Sequence, residues 1–162
     1  ARELQLRGAY RDALRVVHDV AEEAQSARLQ RRALELVAGC QLALDRPEAA
    51  RNALSCLSGG SDLDPYCQAA VEDACGHSLW ALHIVEREAR RHELSREATL
   101  FRIDLYARLR GIEAACALTL QQVGRLRLED VERVLRFADG AGHRSAALAL
   151  ARALPQLQRA CA

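Results

Sequence analysis

The chain has 162 residues, of which half are hydrophobic and only 4% aromatic, with 3 Pro and 9 Gly. This composition excludes collagen-like, low-complexity and disordered proteins, and no apolar run reaches the roughly 18 residues of a membrane span. The 23 basic residues, all Arg, nearly balance the 22 acids, so the net charge of +1 does not imply a nucleic-acid-binding surface. The apolar residues are mainly Ala and Leu, which favour helices, and no stretch alternates with the period of a strand.

Caps, glycines and prolines divide the chain into short helical segments. Ser26 and Ser95 precede two of these segments as candidate N-caps. Asp45 and Asp64 each stand just before a proline, so both are expected to accept amide hydrogen bonds at a helix start. A Gly- and Ser-rich loop at 58–64 is the longest irregular stretch. The predicted helices are Ala9–Ala24, Ala27–Leu44, Pro47–Leu57, Pro65–Cys75, Ser78–His92, Arg96–Arg110, Ile112–Val123, Leu128–Ala138 and His143–Leu154.

The helix breaks recur at a nearly constant interval. They stand 37, 31, 35 and 31 residues apart along the chain, at Gly8, Asp45, Gly76, Gly111 and Gly142. A period of this size, made of two helices, is typical of a helical solenoid. Short connections make neighbouring helices antiparallel.

The residues around these breaks resemble the tetratricopeptide repeat family. The segment from Leu6 to Ala13 has that family's glycine turn followed five residues later by a small residue. The small residues at the same distance from the later breaks are Ala50, Cys116 and Ala147, and all four are expected to be buried between paired helices. The unit around Gly76 departs from the pattern, because Gln68 and Glu72 stand where apolar residues are expected. The resemblance implies a right-handed α-solenoid of antiparallel helix pairs, forming a single domain over 1–162.

The resemblance also implies a function, the binding of another protein as an adaptor or regulatory scaffold. In that family the first helix of each pair lines a concave face, which receives a peptide or a helix of the partner. The polar residues expected on that face are Arg32, Glu35, Arg108, Glu132 and Arg136. Residues 1–80 carry 9 Arg and 12 acids, whereas residues 81–162 carry 14 Arg and 10 acids. The second half is therefore expected to bind an acidic segment or a free carboxylate.

Two other function classes stay open beside protein binding. The Arg-rich second half could associate with nucleic acid, which a steep dependence of binding on salt would reveal. The chain could also be a helical domain gated by a ligand or metal. Trp80 stands among Leu79, Leu82 and Ile84, so it is expected to pack in the core, with a groove-lining anchor for a partner as the alternative.

The sequence contains no motif that indicates catalysis, so we expect neither an enzyme nor a bound cofactor. There is no Gly-rich phosphate loop, Cys-x-x-Cys pair or paired general acid and base. The best metal candidate comprises Cys67, Cys75, His77 and His83, but its spacing matches no common zinc site. The six cysteines are expected to be reduced, in keeping with a cytoplasmic protein. The absence of Met predicts that the sequence is part of a longer or processed chain.

Overall fold

The computed structural model describes residues 2–24, 26–57 and 63–160, and every regular element in these ranges is helical. The all-α prediction is therefore confirmed for this part of the chain. Its α-helices are α1 (Arg2–Glu23), α2 (Ala27–Ala43), α3 (Pro47–Ser55), α4 (Pro65–Ala74), α5 (Ser78–Ala89), α6 (Arg96–Arg110), α7 (Ile112–Gln121), α8 (Leu128–Gly140) and α9 (Arg144–Ala160). Residues 58–62 of the Gly- and Ser-rich loop, and Cys161, lie outside the described residues.

The chain divides into two compact units, a first unit, Ala1–Val85, and a second unit, Glu86–Ala162. In the first unit α2 packs against α1, α3 and α4. In the second unit α6 packs against α7, and α7 contacts both α8 and α9. Each of these helices thus contacts its neighbours in sequence within its own unit.

The two largest differences from the predicted helix boundaries concern the start of α1 and the end of α9. Gly8 lies inside α1, so the predicted break there is wrong. A glycine within a helix costs only about 1 kcal/mol relative to Ala, and the residues around Gly8 are helix formers. Helix α9 continues through Pro155 to Ala160, past the predicted end at Leu154. The residues that follow Pro155 also favour a helix, and they sustain it beyond the proline.

The other four predicted breaks form turns with positive φ. The φ angles are 60° at Asp45, 87° at Gly76, 91° at Gly111 and 83° at Gly142. Asp45 therefore takes the place of a glycine and does not cap α3, contrary to the prediction. Asp tolerates this left-handed conformation better than most residues, and Arg46 is the N-cap of α3 instead.

Three of the turns share one hydrogen-bond pattern, a Schellman motif. At Gly76 the amide of His77 donates to the carbonyl of Glu72, and the amide of Gly76 donates to the carbonyl of Asp73, both at 2.9 Å. The same two bonds recur around Asp45 and Gly142. Gly111 differs, since its ψ of 163° places it in a region open almost only to glycine.

A small buried residue follows each of these turns by five positions. The four residues are Ala50, Ala81, Cys116 and Ala147, and all are at most 7% exposed. The prediction of burial is confirmed for Ala50, Cys116 and Ala147. It is wrong for Ala13, which is exposed because α1 makes no turn at Gly8. The burial of Ala81 shows that the repeat around Gly76 also has a small buried residue five positions after its turn. Glu72, the charged residue at an expected apolar position of that repeat, accepts a 3.1 Å hydrogen bond from Arg51.

In the second unit, side-chain contacts join the starts of equivalent helices. Arg96, the first residue of α6, bonds to Asp130 in the first turn of α8. Glu113 in the first turn of α7 lies 3.4 Å from His143, which directly precedes α9. The α6/α7 pair and the α8/α9 pair therefore lie side by side with the starts of equivalent helices together. Between them Ile103, Cys116, Val131 and Leu150 belong to one buried core.

Replacing Gly111 by Ala is expected to lower the free energy of unfolding by about 1–3 kcal/mol. No heavy atom lies within 4 Å of the added Cβ, so the whole cost is the conformation of the backbone. The control is Gly8→Ala, which is expected to stabilise α1 by about 0.5–1 kcal/mol because it lies inside a helix. Urea denaturation of both variants measures these opposite signs; a loss of stability in both would contradict the assignment of the turns.

Candidate partner-binding surfaces

Trp80 lies on the outer side of α5, and half of its surface is exposed. The buried side of that helix consists of Ala81, Leu82, Ile84 and Val85. Core packing of Trp80, the first interpretation of its sequence context, is therefore wrong. Its ring stacks on His83, with ring centroids 5.2 Å apart and planes inclined by 14°. A half-exposed Trp beside the exposed Leu79 forms an apolar surface, named the Trp80 patch (Leu79, Trp80 and His83), of the type that anchors partners.

Glu35 is largely buried, although it is among the residues expected to face a partner. Its side chain is 10% exposed and lies 3.2 Å from the Nη1 atom of Arg32. The second carboxylate oxygen accepts a 3.0 Å hydrogen bond from the backbone amide of Asp64. Asp64 caps α4 by accepting from the amide of Tyr66, as predicted. Glu35 therefore connects α2 to the start of α4, while Arg32 is exposed.

The predicted arginines of the second unit form exposed ion pairs along their own helices. Arg108 donates to Asp104 on α6 at 2.9 Å. Arg136 and Glu132 approach to 3.7 Å on α8. Such pairs between exposed side chains contribute about 0–1 kcal/mol, so a carboxylate of a partner can replace the intramolecular one at small cost. Of the residues predicted to face a partner, Arg136 and Glu132 therefore contact each other. Arg108 contacts Asp104, which was not among the predicted residues.

A second arrangement on α6 was not predicted from the sequence. The hydroxyl of Tyr106 donates to Glu86 Oε1 at 2.7 Å, and Arg102 Nε donates to the same oxygen at 2.8 Å. The guanidinium of Arg110 lies 4.9 Å from the centre of the Tyr106 ring, within cation–π distance. Burial raises the pKa of Glu86, but the bonds from Arg102 and Tyr106 outweigh it, so this pKa lies below its usual value. The ring is thereby fixed as a platform for Arg110.

The signal for this platform was partly visible in the sequence. Arg102, Tyr106 and Arg110 are spaced by four residues and so share one face of a helix. Glu86 lies near the end of α5, and a loop separates that helix from α6. No local sequence pattern indicates that the Glu86 carboxylate contacts α6.

The cysteine and histidine side chains give no metal site in the described part of the chain, where no three residues of ligand type are grouped to hold an ion. The five cysteines within the described residues are free thiols: Cys40, Cys56, Cys67, Cys75 and Cys116. Burial, with the nearby Asp64 and Glu35 carboxylates, raises the pKa of Cys67 to about 11. Cys67 is therefore a neutral thiol near pH 7, which disfavours it as a nucleophile or thiolate ligand.

Comparison of the chain with protein-family models, with curated protein sequences and with solved structures gives no significant match. The resemblance to tetratricopeptide repeats therefore depends on the residues of this chain alone. Within the described residues, no helix combines the length and apolarity needed to cross a membrane.

Proposed function

We propose that the chain is a protein-binding module of the cytoplasm, an adaptor or regulatory scaffold that holds a peptide or helix of its partner. The underlying architecture is a right-handed solenoid of antiparallel helix pairs, similar to tetratricopeptide repeats. The observation that carries the proposal is the recurrence of one turn at Asp45, Gly76 and Gly142, each followed by a buried alanine. A stack of such pairs offers an extended surface, the usual means by which repeat proteins bind their partners.

The chemistry of the exposed residues supports an acidic partner segment. Arg108 and Arg136 each pair with an exposed acid of their own helix, Asp104 and Glu132. An arginine fork binds a carboxylate at two points, so both can bind Asp, Glu or a C-terminal carboxylate. In the first unit the Trp80 patch supplies an apolar anchor of the kind that dominates binding energies.

The proposal is tested by selecting binders from a displayed library of random peptides with free C-termini. Peptides rich in Asp and Glu are expected to be selected, and the Arg108→Glu, Arg136→Glu double variant should bind them at least about tenfold more weakly. Its melting temperature should stay near that of the wild type, because both side chains are exposed. The control is Arg91→Glu, an exposed arginine outside both helices, which should bind normally.

Two outcomes would contradict the proposal. The absence of any selected peptide would argue against a protein-binding module, and undiminished binding by the double variant would place the site elsewhere. A duplex DNA probe tests the nucleic-acid alternative. Tighter binding of DNA than of peptides, with a steep loss of affinity as salt is added, would favour that alternative.

A further inference from the structure

Helices α8 and α9 leave an open apolar groove between them on the surface of the second unit. Its volume is about 280 Å³, and we call it the α8/α9 groove. Leu148 on its wall is more than half exposed. The groove is lined by Leu135, Asp139, Arg144, Ala147, Leu148 and Ala151.

The corresponding groove of an earlier pair is filled by a helix. Counted from the turn at Gly142, Leu135 lies seven residues before and Ala151 nine residues after. The residues at the same positions around Asp45 are Ala38 and Leu54, and both are buried.

The covering helix in that case is α4. Val71 belongs to the same buried cluster as Ala38 and Leu54, and Cys67 and Cys75 pack against this cluster. Cys67, Val71 and the C-cap residue Cys75 are spaced by four and so form one stripe of small and medium apolar side chains. The α8/α9 groove therefore has the form of a surface that receives a helix with such a stripe.

Helix α1 carries an exposed stripe of this kind. Ala9, Ala13, Val16 and Val20 follow a spacing of four, three and four residues, which places them on one side of the helix, and all four are exposed. Like the α4 stripe, this one consists of small and medium apolar side chains. It is therefore suited in size to the groove.

Charge favours the meeting of these two surfaces over the meeting of either with itself. The first unit, which contains α1, carries 9 Arg and 12 acids, whereas the second unit carries 14 Arg and 10 acids. Asp12 and Asp19 are exposed on α1. The groove lining holds one acid and one base, Asp139 and Arg144, so the complementary charge is that of the two units as wholes. Opposite net charges attract two copies in this orientation and disfavour the contact of identical surfaces.

We propose that α1 of one copy lies in the α8/α9 groove of a second copy, so that copies of the chain associate head to tail. The two surfaces in contact are different, which makes the interface heterologous and capable of adding further copies. This association concerns surfaces other than the Trp80 patch and does not depend on the proposed function.

Sedimentation equilibrium of the purified chain, with Val16→Glu and Leu148→Glu variants, tests the head-to-tail contact. The mass of the wild type is expected to rise with concentration and to rise less at high salt. Each variant alone should stay monomeric, since it has lost one of the two surfaces. An equimolar mixture should form a dimer and grow no further, because each variant keeps the surface that the other lacks.

The control for these variants is Leu79→Glu, an exposed substitution outside both surfaces, which should associate as the wild type does. Circular dichroism should show unchanged helix content in all of them, as every replaced residue is exposed. A wild type that stays monomeric, a single variant that still associates, or a mixture that does not form a dimer would each overturn the proposal.

Discussion

Replacing Ala50 by Arg is expected to lower the free energy of unfolding of the first unit by more than about 3 kcal/mol. Ala50 is fully buried between α2, α3 and α4, in a cluster with Ala38, Leu54 and Val71. A guanidinium there has to displace these apolar side chains and give up its hydration. Both costs act on the folded state alone, so the variant should unfold at much lower urea concentration.

The control for this substitution is Ala13→Arg. The sequence pattern predicted that Ala13, like Ala50, is buried between paired helices. Because Ala13 is exposed on α1, the change is expected to stay within about 0.5 kcal/mol of the wild type. Urea denaturation followed by fluorescence measures both, since the single Trp of the chain, Trp80, lies in the first unit. Equal losses in the two variants would contradict the repeat register and support a turn at Gly8.

The contrast between Ala50 and Ala13 shows what the sequence can and cannot predict about the fold. Turns at Gly76, Gly111 and Gly142 could be predicted because a glycine with positive φ ends a helix by its own local conformation. Gly8 does not end a helix, because it keeps a helical conformation within α1 and there acts only as a weak helix former. Local composition therefore indicates a possible break, and tertiary packing decides whether the break is used.

The candidate surfaces depended on information that the sequence does not contain. Spacing along α6 and α8 identified arginines on exposed helices, because the helical period fixes which residues share a face. It could not show that Glu35 turns inward to bond the amide of Asp64, since that partner lies 29 residues away. The sequence pattern also misplaced Trp80. Helix α5 has apolar residues on more than one side, and only the side with Ala81, Leu82, Ile84 and Val85 is buried.

Replacing Asp130 by Ala is expected to lower the free energy of unfolding of the second unit by about 2–3 kcal/mol at pH 7. The Asp130 side chain is only 6% exposed. Its two oxygens accept 2.7 Å hydrogen bonds from Nε and Nη2 of Arg96, and one oxygen also accepts from the amide of Arg127 at 3.0 Å. The substitution thus removes the contact between the starts of α6 and α8 and the bond that closes the first turn of α8.

The control for this prediction is Glu129→Ala. Glu129 also contacts Arg96, at 3.2 Å, but its side chain is two-thirds exposed. Its removal is expected to change the stability by less than about 1 kcal/mol, as is usual for an exposed ion pair. A loss in this variant equal to that of Asp130→Ala would show that only the charge near Arg96 matters, and not the buried geometry.

The stabilisation by Asp130 should disappear in acid. Burial raises the pKa of Asp130, but hydrogen bonds from Arg96 and from the Arg127 amide outweigh it, so the pKa in the folded chain lies below its usual value. A carboxyl group with a lowered pKa stabilises the folded state above its unfolded pKa of about 3.9, and this contribution is lost as the pH falls through the folded pKa. The difference in unfolding free energy between the wild type and Asp130→Asn should therefore be constant near neutral pH and shrink below about pH 4. Urea titrations followed by circular dichroism across this range measure it, and a difference that stayed unchanged in acid would show that Asp130 acts through packing instead of its charge.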